Sequence, residues 1–293
     1  MIKNATFYAL NTPLAADPLR QGLEKLQFAP ATGLQVSNLG WVPPFGGTDL
    51  VFEVDQVKVI ALRIDVKVLP ASAVAMAVRE KCLELEREQG FKCGRRQTKE
   101  VKEQVVDAML TKAFSRTTIT NVYIWSGMML IDSTSPGVTD TVVGTLAKCV
   151  EPFPVTTIHL KTAPAAAMTG WLLEDEAPEF FSIDQEAELQ SPDSRNSIVR
   201  YVRAPVPVDQ IQHRQCVKLA LTYDDRISFL LTDAFTFKRI SLLDVTREGR
   251  EDYAENEWGR LEGEVALITR EVRGVFNALI HELGLKIDEG ALV

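Results

Sequence analysis

The basic residues between Lys92 and Arg116 have the type and the spacing to bind phosphate groups. Seven Lys and Arg residues stand against three acidic residues in this stretch, so its net charge is +4, whereas the whole chain of 293 residues carries −8. A local basic surface on an acidic protein favours an anionic partner. The alternative is a solvated loop and helix face. The first group of candidate phosphate-binding residues is Arg95, Arg96, Lys99, Lys102, Lys112 and Arg116.

A second basic group lies towards the C-terminus. Arg200 and Lys218 fall on predicted strands, and a sheet can present such side chains as a row to a phosphate backbone. No zinc-finger or helix-turn-helix pattern accompanies them, so backbone contact without sequence reading is the expected form of binding. This second group is Arg200, Arg203, Arg214, Lys218, Arg226, Lys238 and Arg239.

The sequence offers little support for catalysis. It contains no phosphate-binding GxxxxGK[ST] loop, no GxGxxG after a strand, no GxSxG and no HExxH. Asp184, Glu186 and Glu188 alternate and could gather Mg²⁺ as a nuclease does, but an acidic helix or loop is the favoured interpretation. The three histidines are isolated, and the four cysteines include no CxxC, which favours free thiols in a reducing cytosol. We therefore expect no cofactor, no bound metal and no enzymatic activity.

Two helical patterns would position the first basic group. Apolar residues recur at helical spacing from Ala73 to Leu85 and again from Val101 to Met109. Gly90 and Gly94 bracket a turn between them. Ser72 and Thr98 are candidate N-caps, one for each helix. These signals predict a protruding helical hairpin over residues 71–116.

The remaining segments read mainly as antiparallel strands without a regular βαβ alternation, which is typical of an α+β fold. Helices are predicted from Asp17, over 141–150 with Asp140 as cap, over 184–189, and over 254–283 as a long C-terminal helix. The predicted domains are 1–70 plus 117–162, the arm 71–116, and 163–293. The predicted strands are 2–10, 49–69 in several pieces, 119–125, 128–132, 155–160, 197–202, 217–223, 226–231 and 235–242.

Charge is segregated along the chain. Residues 172–193 contain eight acids and no base, and residues 244–293 contain twelve acids and six bases, which leaves +6 for the rest. An electrostatic field divided in this way can orient a polyanion although the net charge of the chain is negative. No run of 18 apolar residues and no signal-peptide pattern is present, so we expect a cytoplasmic protein with no membrane partner.

Several short motifs, in this order and spacing, resemble the bacterial RdgC family of recombination-associated proteins, and the resemblance spans essentially the whole chain. The combination of the first and third motifs is the distinctive part. The motifs are Gly40-Trp41-Val42-Pro43-Pro44, Val68-Leu69-Pro70, Ala113-Phe114-Ser115-Arg116, Lys218-Leu219-Ala220-Leu221, Arg226-Ile227 and Lys238-Arg239.

The resemblance implies a ring-shaped homodimer whose positively charged hole takes double-stranded DNA, and single-stranded DNA is a further expected ligand. It also implies association with the nucleoid and restraint of RecA-promoted strand exchange. Phe114 would lie at the dimer gate, where the tips of two helical arms meet. A packed helix-end residue is the alternative for Phe114.

Two other functions stay open at this point. A metal-dependent exonuclease of recombination would use Asp184 and Glu186, and it would degrade a labelled duplex with Mg²⁺. An acidic protein-interaction module would bind a basic partner and would not bind DNA at any salt concentration.

Overall fold

Two antiparallel sheets form the framework of the molecule. The computed structural model describes residues 1–30, 33, 35–153, 155–244 and 256–286. The α+β class and the antiparallel sheets are confirmed. The first sheet contains β1 (Thr6–Leu10), β2 (Ser37–Val42), β3 (Phe52–Val54), β4 (Val57–Lys67), β5 (Ser115–Trp125), β6 (Met128–Ile131) and β7 (Val155–Thr157).

The first sheet has the strand order β2-β4-β5-β6-β1-β7, and β3 pairs with the start of β4. The second sheet has the order β12-β11-β10-β8-β9. The two sheets meet where Ala5 and Phe237 exchange backbone hydrogen bonds of 2.8 and 2.9 Å. The second sheet contains β8 (Phe181–Ser191), β9 (Ser194–Val202), β10 (Gln215–Tyr223), β11 (Ile227–Thr232) and β12 (Phe237–Leu242).

Helices separate the runs of strands along the chain. A short 3₁₀ turn, Pro44–Gly46, begins at the second residue of the Pro43-Pro44 pair. The α-helices among the described residues are α1 (Ala16–Glu24), α2 (Ala71–Gln89), α3 (Arg95–Leu110), α4 (Pro136–Ala147), α5 (Pro164–Glu174), α6 (Val208–Gln212) and α7 (Glu257–Leu283).

Two hydrophobic cores lie on opposite faces of the first sheet. Alternation along β4 assigns the faces, because Ile60 and Leu62 enter one core while Val57 and Val59 enter the other. The first core packs under α1 and α4. The second is larger and is shared with the inner face of the second sheet, with α5 and with α7. The predicted long C-terminal helix is confirmed over 257–283, and its predicted first residues 254 and 255 lie outside the described part of the chain.

Some local predictions were wrong. Residues 184–189 belong to strand β8, because FSIDQEAELQS places its apolar residues at every second position, which is the strand period. Helix α3 begins at Arg95 with Gly94 as N-cap, so Thr98 lies inside the helix and its hydroxyl donates to the Gly94 carbonyl. Helix α4 begins at Pro136, ahead of Asp140, and Pro suits the first turn because it lacks an N–H.

Candidate nucleic-acid interface

The predicted helical hairpin, α2 and α3, is present and is carried by the two longest strands of the first sheet. Strands β4 and β5 stay paired to Lys67 and Ser115, and the Val68 N–H then donates to the Phe114 carbonyl at 2.9 Å. The two helices pack chiefly against each other. Their only buried residues are Val74, Val101 and Leu110, so most of the hairpin surface is exposed.

The first basic group is distributed over this exposed hairpin. Arg96 lies 3.2 Å from Glu100 and Lys99 lies 3.9 Å from Glu103, both one helical turn away. Exposed pairs of this kind hold little energy and exchange readily for other partners. No ion pair within 4.0 Å is found among the described residues for the other members of the group, which are Arg95, Lys102, Lys112 and Arg116. These bases are therefore available to an external anion.

Phe114 lies at the foot of the hairpin, between α3 and β5. The expectation that it sits at the tip was wrong, since the tip is the turn that begins at Gly90. Phe114 is 90% exposed, which also excludes the alternative of a residue packed in the core of its own chain. A large aromatic side chain with this exposure favours a partner surface, and Lys112 and Arg116 flank it in the sequence.

Sequence reasoning missed an apolar surface around this foot. Val68 is 48% exposed and lies opposite Phe114 where β4 and β5 end, and Ile119, further along β5, is 56% exposed. In the sequence they read as ordinary inward-facing strand residues. No local signal distinguishes a strand end that reaches past the core from one that remains covered.

Three members of the second basic group, Arg200, Lys218 and Arg239, form a charge ladder with Glu186 and Glu188 on the outer face of the second sheet. Arg200 from β9 and Arg239 from β12 both bind Glu186 of β8, each at 2.7 Å. Lys218 from β10 binds Glu188, which also belongs to β8. Three of the bases predicted to contact phosphates are thus already paired with carboxylates of β8.

The ladder explains why apolar side chains beneath it are buried. Ala220 and Leu230 lie on the outer face between Glu186 and Lys238, yet they are only 8% and 6% exposed. Burial alone would raise the pKa of Glu186, but hydrogen bonds and charges from Arg200 and Arg239 lower it overall. Glu186 therefore stays ionised and holds the guanidinium groups of Arg200 and Arg239 over Ala220 and Leu230.

Three further members of this group have structural partners. Arg226 binds Glu271 of α7, and Arg214 donates to the Ser197 carbonyl and hydroxyl at 3.3 Å. The Arg203 N–H donates to the Gln185 carbonyl at 2.7 Å, while its side chain is exposed. Lys238 is half-buried at the far edge of the ladder. Their binding to DNA stays a prediction.

The carboxylates proposed for a nuclease are engaged with protein groups. Asp184 accepts a hydrogen bond from the Thr222 hydroxyl, while Glu186 and Glu188 bind the ladder bases. Within the described residues, no group of three or more His, Cys, Asp or Glu side chains is arranged to hold a metal ion. In the same part of the chain, no helix combines the length and the apolar character needed to cross a membrane.

Comparison with known proteins identifies the family. A family model described as "Putative exonuclease, RdgC" matches residues 1–286. The chain is 36% identical to the recombination-associated protein RdgC of Paraburkholderia phymatum, with 99% of this chain and 98% of the relative covered. The chain belongs to the RdgC family. The proteins of the same name from Janthinobacterium sp. and Ralstonia nicotianae are 36% and 37% identical, over 98% and 96% of this chain and 99% and 95% of theirs.

The first motif of the RdgC resemblance is a packing element in this structure. A Cβ on Gly40 would lie 2.4 Å from the Phe28 Cα, so only glycine allows β2 to run this close to residues 27 and 28. Trp41 is fully buried, and its indole N–H donates to the Cys149 Sγ at 3.2 Å. The RdgC motif thus fixes one edge of the first sheet and lies apart from the basic groups.

Proposed function

We propose that this protein binds double-stranded DNA without reading its sequence and acts in homologous recombination by restraining RecA. The observation that carries the proposal is the foot of the hairpin, where Lys112 and Arg116, which form no ion pair with the residues that the structure describes, flank the 90% exposed Phe114. Bases without local carboxylate partners can neutralise phosphates, and the resulting counterion release drives binding of any duplex sequence. The relatives named recombination-associated proteins support the place of this activity in recombination.

The proposed assembly is a ring-shaped homodimer that encircles the duplex and associates with the nucleoid. Phe114 and Val68 give an exposed apolar surface that a second copy would cover, which is a physical reason for a contact at this point. A ring on duplex DNA would occupy sites that RecA filaments need for strand exchange. Single-stranded DNA would bind the same bases with fewer simultaneous contacts.

The proposed activity is non-catalytic, and the exonuclease in the family description is the competing function. The pairing of Glu186 and Glu188 with Arg and Lys supports the non-catalytic proposal, because these carboxylates would have to leave their partners to bind a metal ion. Incubation of labelled duplex with Mg²⁺ separates the two proposals, since only a nuclease shortens the strand.

The decisive test is duplex binding across a salt series, with wild type beside K112Q/R116Q. We expect the log–log salt slope to become shallower by up to about 1.8, because two phosphate contacts are lost. The matched control is K25Q/K148Q, which removes two exposed lysines, the C-cap residues of α1 and α4.

The control variant should keep the wild-type slope. An equal change in both variants would show that only the net charge matters and would reject the proposed interface. Absence of binding at every salt concentration would instead favour an acidic protein-interaction module.

A further inference from the structure

Two thiols open into a groove between the helices of the hairpin. The groove has a volume of about 640 Å³, and its apolar walls include Val74 and Val78 of α2 and Val106 of α3. Cys82, on α2, and Cys93, in the turn that follows it, both line the groove and are both half-buried. Both thiols are thus accessible to a small solute that enters the groove.

The turn at the tip folds Cys93 back onto the last turns of α2. Gly90 adopts a left-handed conformation with a φ of 78°, which ends the helix and reverses the chain. The Cys93 N–H then donates to the Glu86 carboxylate at 2.9 Å. The Cys93 Sγ donates in turn to the Cys82 carbonyl, with a separation of 3.7 Å. The tip is therefore held by side-chain contacts that direct the Cys93 thiol towards Cys82.

The two thiols also influence each other. Burial raises the pKa of the Cys93 thiol, and the neighbouring Cys82 thiol and the charge of Glu86 raise it further. The Cys93 Sγ lies 3.7 Å from the Cys82 carbonyl oxygen, and both residues line the same groove. This proximity favours a disulfide between the two residues.

We propose that Cys82 and Cys93 form a reversible intrachain disulfide under oxidation by a peroxide, and that this bond clamps the tip of the hairpin. The bond would join α2 to the turn that carries Phe91 and Lys92, both of which are exposed. In the reduced protein the hydrogen bonds of Cys93 with Glu86 and Cys82 hold the turn. The proposal is independent of DNA binding, and it assigns a redox-modification site to the arm.

The chemistry balances with the peroxide as the only oxidant. One thiolate attacks a peroxide oxygen, so an S–O bond forms as the O–O bond breaks, and protonation of the leaving oxygen gives one water. The second thiolate then attacks the sulfenic sulfur, so the S–S bond forms as the S–O bond breaks and a second water leaves. Two thiols lose two electrons in total. A small dithiol reverses the reaction by exchange.

The raised pKa of Cys93 gives the reaction a defined pH dependence. At neutral pH most of this thiol is protonated and unreactive, so disulfide formation should accelerate as the pH rises from 7 to 9. The charged groups that face the pair are Glu86 and Arg79 from α2 and Lys102 from α3. Glu86 opposes formation of the thiolate, whereas Arg79 and Lys102 favour it.

The first experiment maps the disulfide in the full-length protein. Native protein is treated with hydrogen peroxide, its free thiols are blocked under denaturing conditions, and its peptides are analysed by mass spectrometry. We expect one peptide pair linked through Cys82 and Cys93, released by dithiothreitol and absent from C82S and C93S. Oxidation of each thiol separately to sulfinic acid, or a link between two chains, would overturn the proposal.

The second measurement tests the clamp by limited trypsin digestion. Lys92, Arg95 and Arg96 supply cleavage sites in or beside the turn, and cleavage there requires local opening. Oxidised wild type should be cut about tenfold more slowly at these sites than reduced wild type. Peroxide-treated C93S is the control and should be cut at the reduced rate. Equal cleavage of oxidised and reduced wild type would overturn the clamp.

Discussion

Arg226 and Glu271 form a two-point ion pair that ties the second sheet to the C-terminal helix. The Arg226 Nε and Nη2 donate to the two carboxylate oxygens of Glu271 at 3.0 and 2.6 Å. The Glu271 side chain is only 7% exposed. Burial alone would raise the pKa of Glu271, but the hydrogen bonds and charges of Arg226 and Arg270 lower it overall. The pair therefore stabilises the packing of α7 only while Glu271 is ionised.

The substitution E271Q should destabilise the protein at pH 7 by about 2 kcal/mol, because it removes a buried charge from a hydrogen-bonded pair. The folded-state pKa of Glu271 lies below its ordinary value of 4.5, so its contribution is complete above that pH and is lost as the pH falls through the folded pKa. Urea unfolding from pH 7 to pH 3 should show the gap between wild type and E271Q closing below about pH 4.5.

The matched control is E84Q, which removes the same charge from an exposed pair with Lys81 on the hairpin. We expect no measurable change in unfolding for this variant. A gap between wild type and E271Q that stays constant down to pH 3 would show that the carboxylate is not stabilised by Arg226.

Arg226 also shows where sequence reasoning reaches its limit. Its position at the start of the predicted strand 226–231 made it a phosphate-binding candidate, but its partner lies 45 residues away on another element. The partner of Arg239, Glu186, is also on another element. This ion pair depends on a bulge in β12 and on a φ of 52° at Arg239 itself. Charge counts do not contain this information, because ion pairing is decided by strand order and register.

Local periodicity was sufficient for other parts of the fold. The apolar spacing from Val265 to Leu279 predicted α7, and the paired patterns around Gly90 predicted the hairpin, since each is a property of a single segment. The acidic run of β8 was wrongly predicted as a helix, because alternating carboxylates are compatible both with a solvated helix and with a strand that has one polar face. Only the neighbouring strands decide between these structures.

Glu186 should restrain DNA binding by the second basic group. The substitution E186Q removes the shared counter-charge of Arg200 and Arg239 without changing side-chain size. If the ladder faces DNA, duplex affinity at low salt should rise about threefold and the log–log salt slope should steepen by up to about 0.9. Fluorescence anisotropy across a salt series measures both quantities. The control E174Q makes the same charge change on the exposed end of α5.

Equal gains in E186Q and E174Q would indicate an effect of net charge alone. No gain in either variant would place the ladder away from DNA and leave the hairpin bases as the interface.

Thr269 has a buried hydroxyl whose removal should stabilise the protein. It lies on α7 with no exposed surface, and its Oγ1 finds no hydrogen-bond partner among the residues that the structure describes. The substitution T269V keeps the shape and removes an unsatisfied polar atom, so we expect a gain of about 1 kcal/mol in the free energy of unfolding. T269S keeps the hydroxyl and loses a methyl group, and it should destabilise by about 1 kcal/mol. Destabilisation by T269V would reveal a partner for the hydroxyl.

Phe114 gives the sharpest test of the proposed ring. Because the side chain is 90% exposed, F114A should leave the free energy of unfolding within about 0.5 kcal/mol of wild type. A ring with two contacts between subunits would lose only one of them, so sedimentation should still show dimers. The open dimer should load onto closed circular duplex faster than wild type and should also leave it faster, because a closed ring must first open.

The control for this prediction is F91A, which truncates another exposed phenylalanine, at the tip of the same hairpin. This variant should load like wild type, because only the foot of the hairpin is proposed as the contact. Monomers in sedimentation of F114A would mean that this residue belongs to the main dimer interface. Unchanged loading on circular DNA, with dimers intact, would remove Phe114 from the gate and direct attention to the exposed Val68 opposite it.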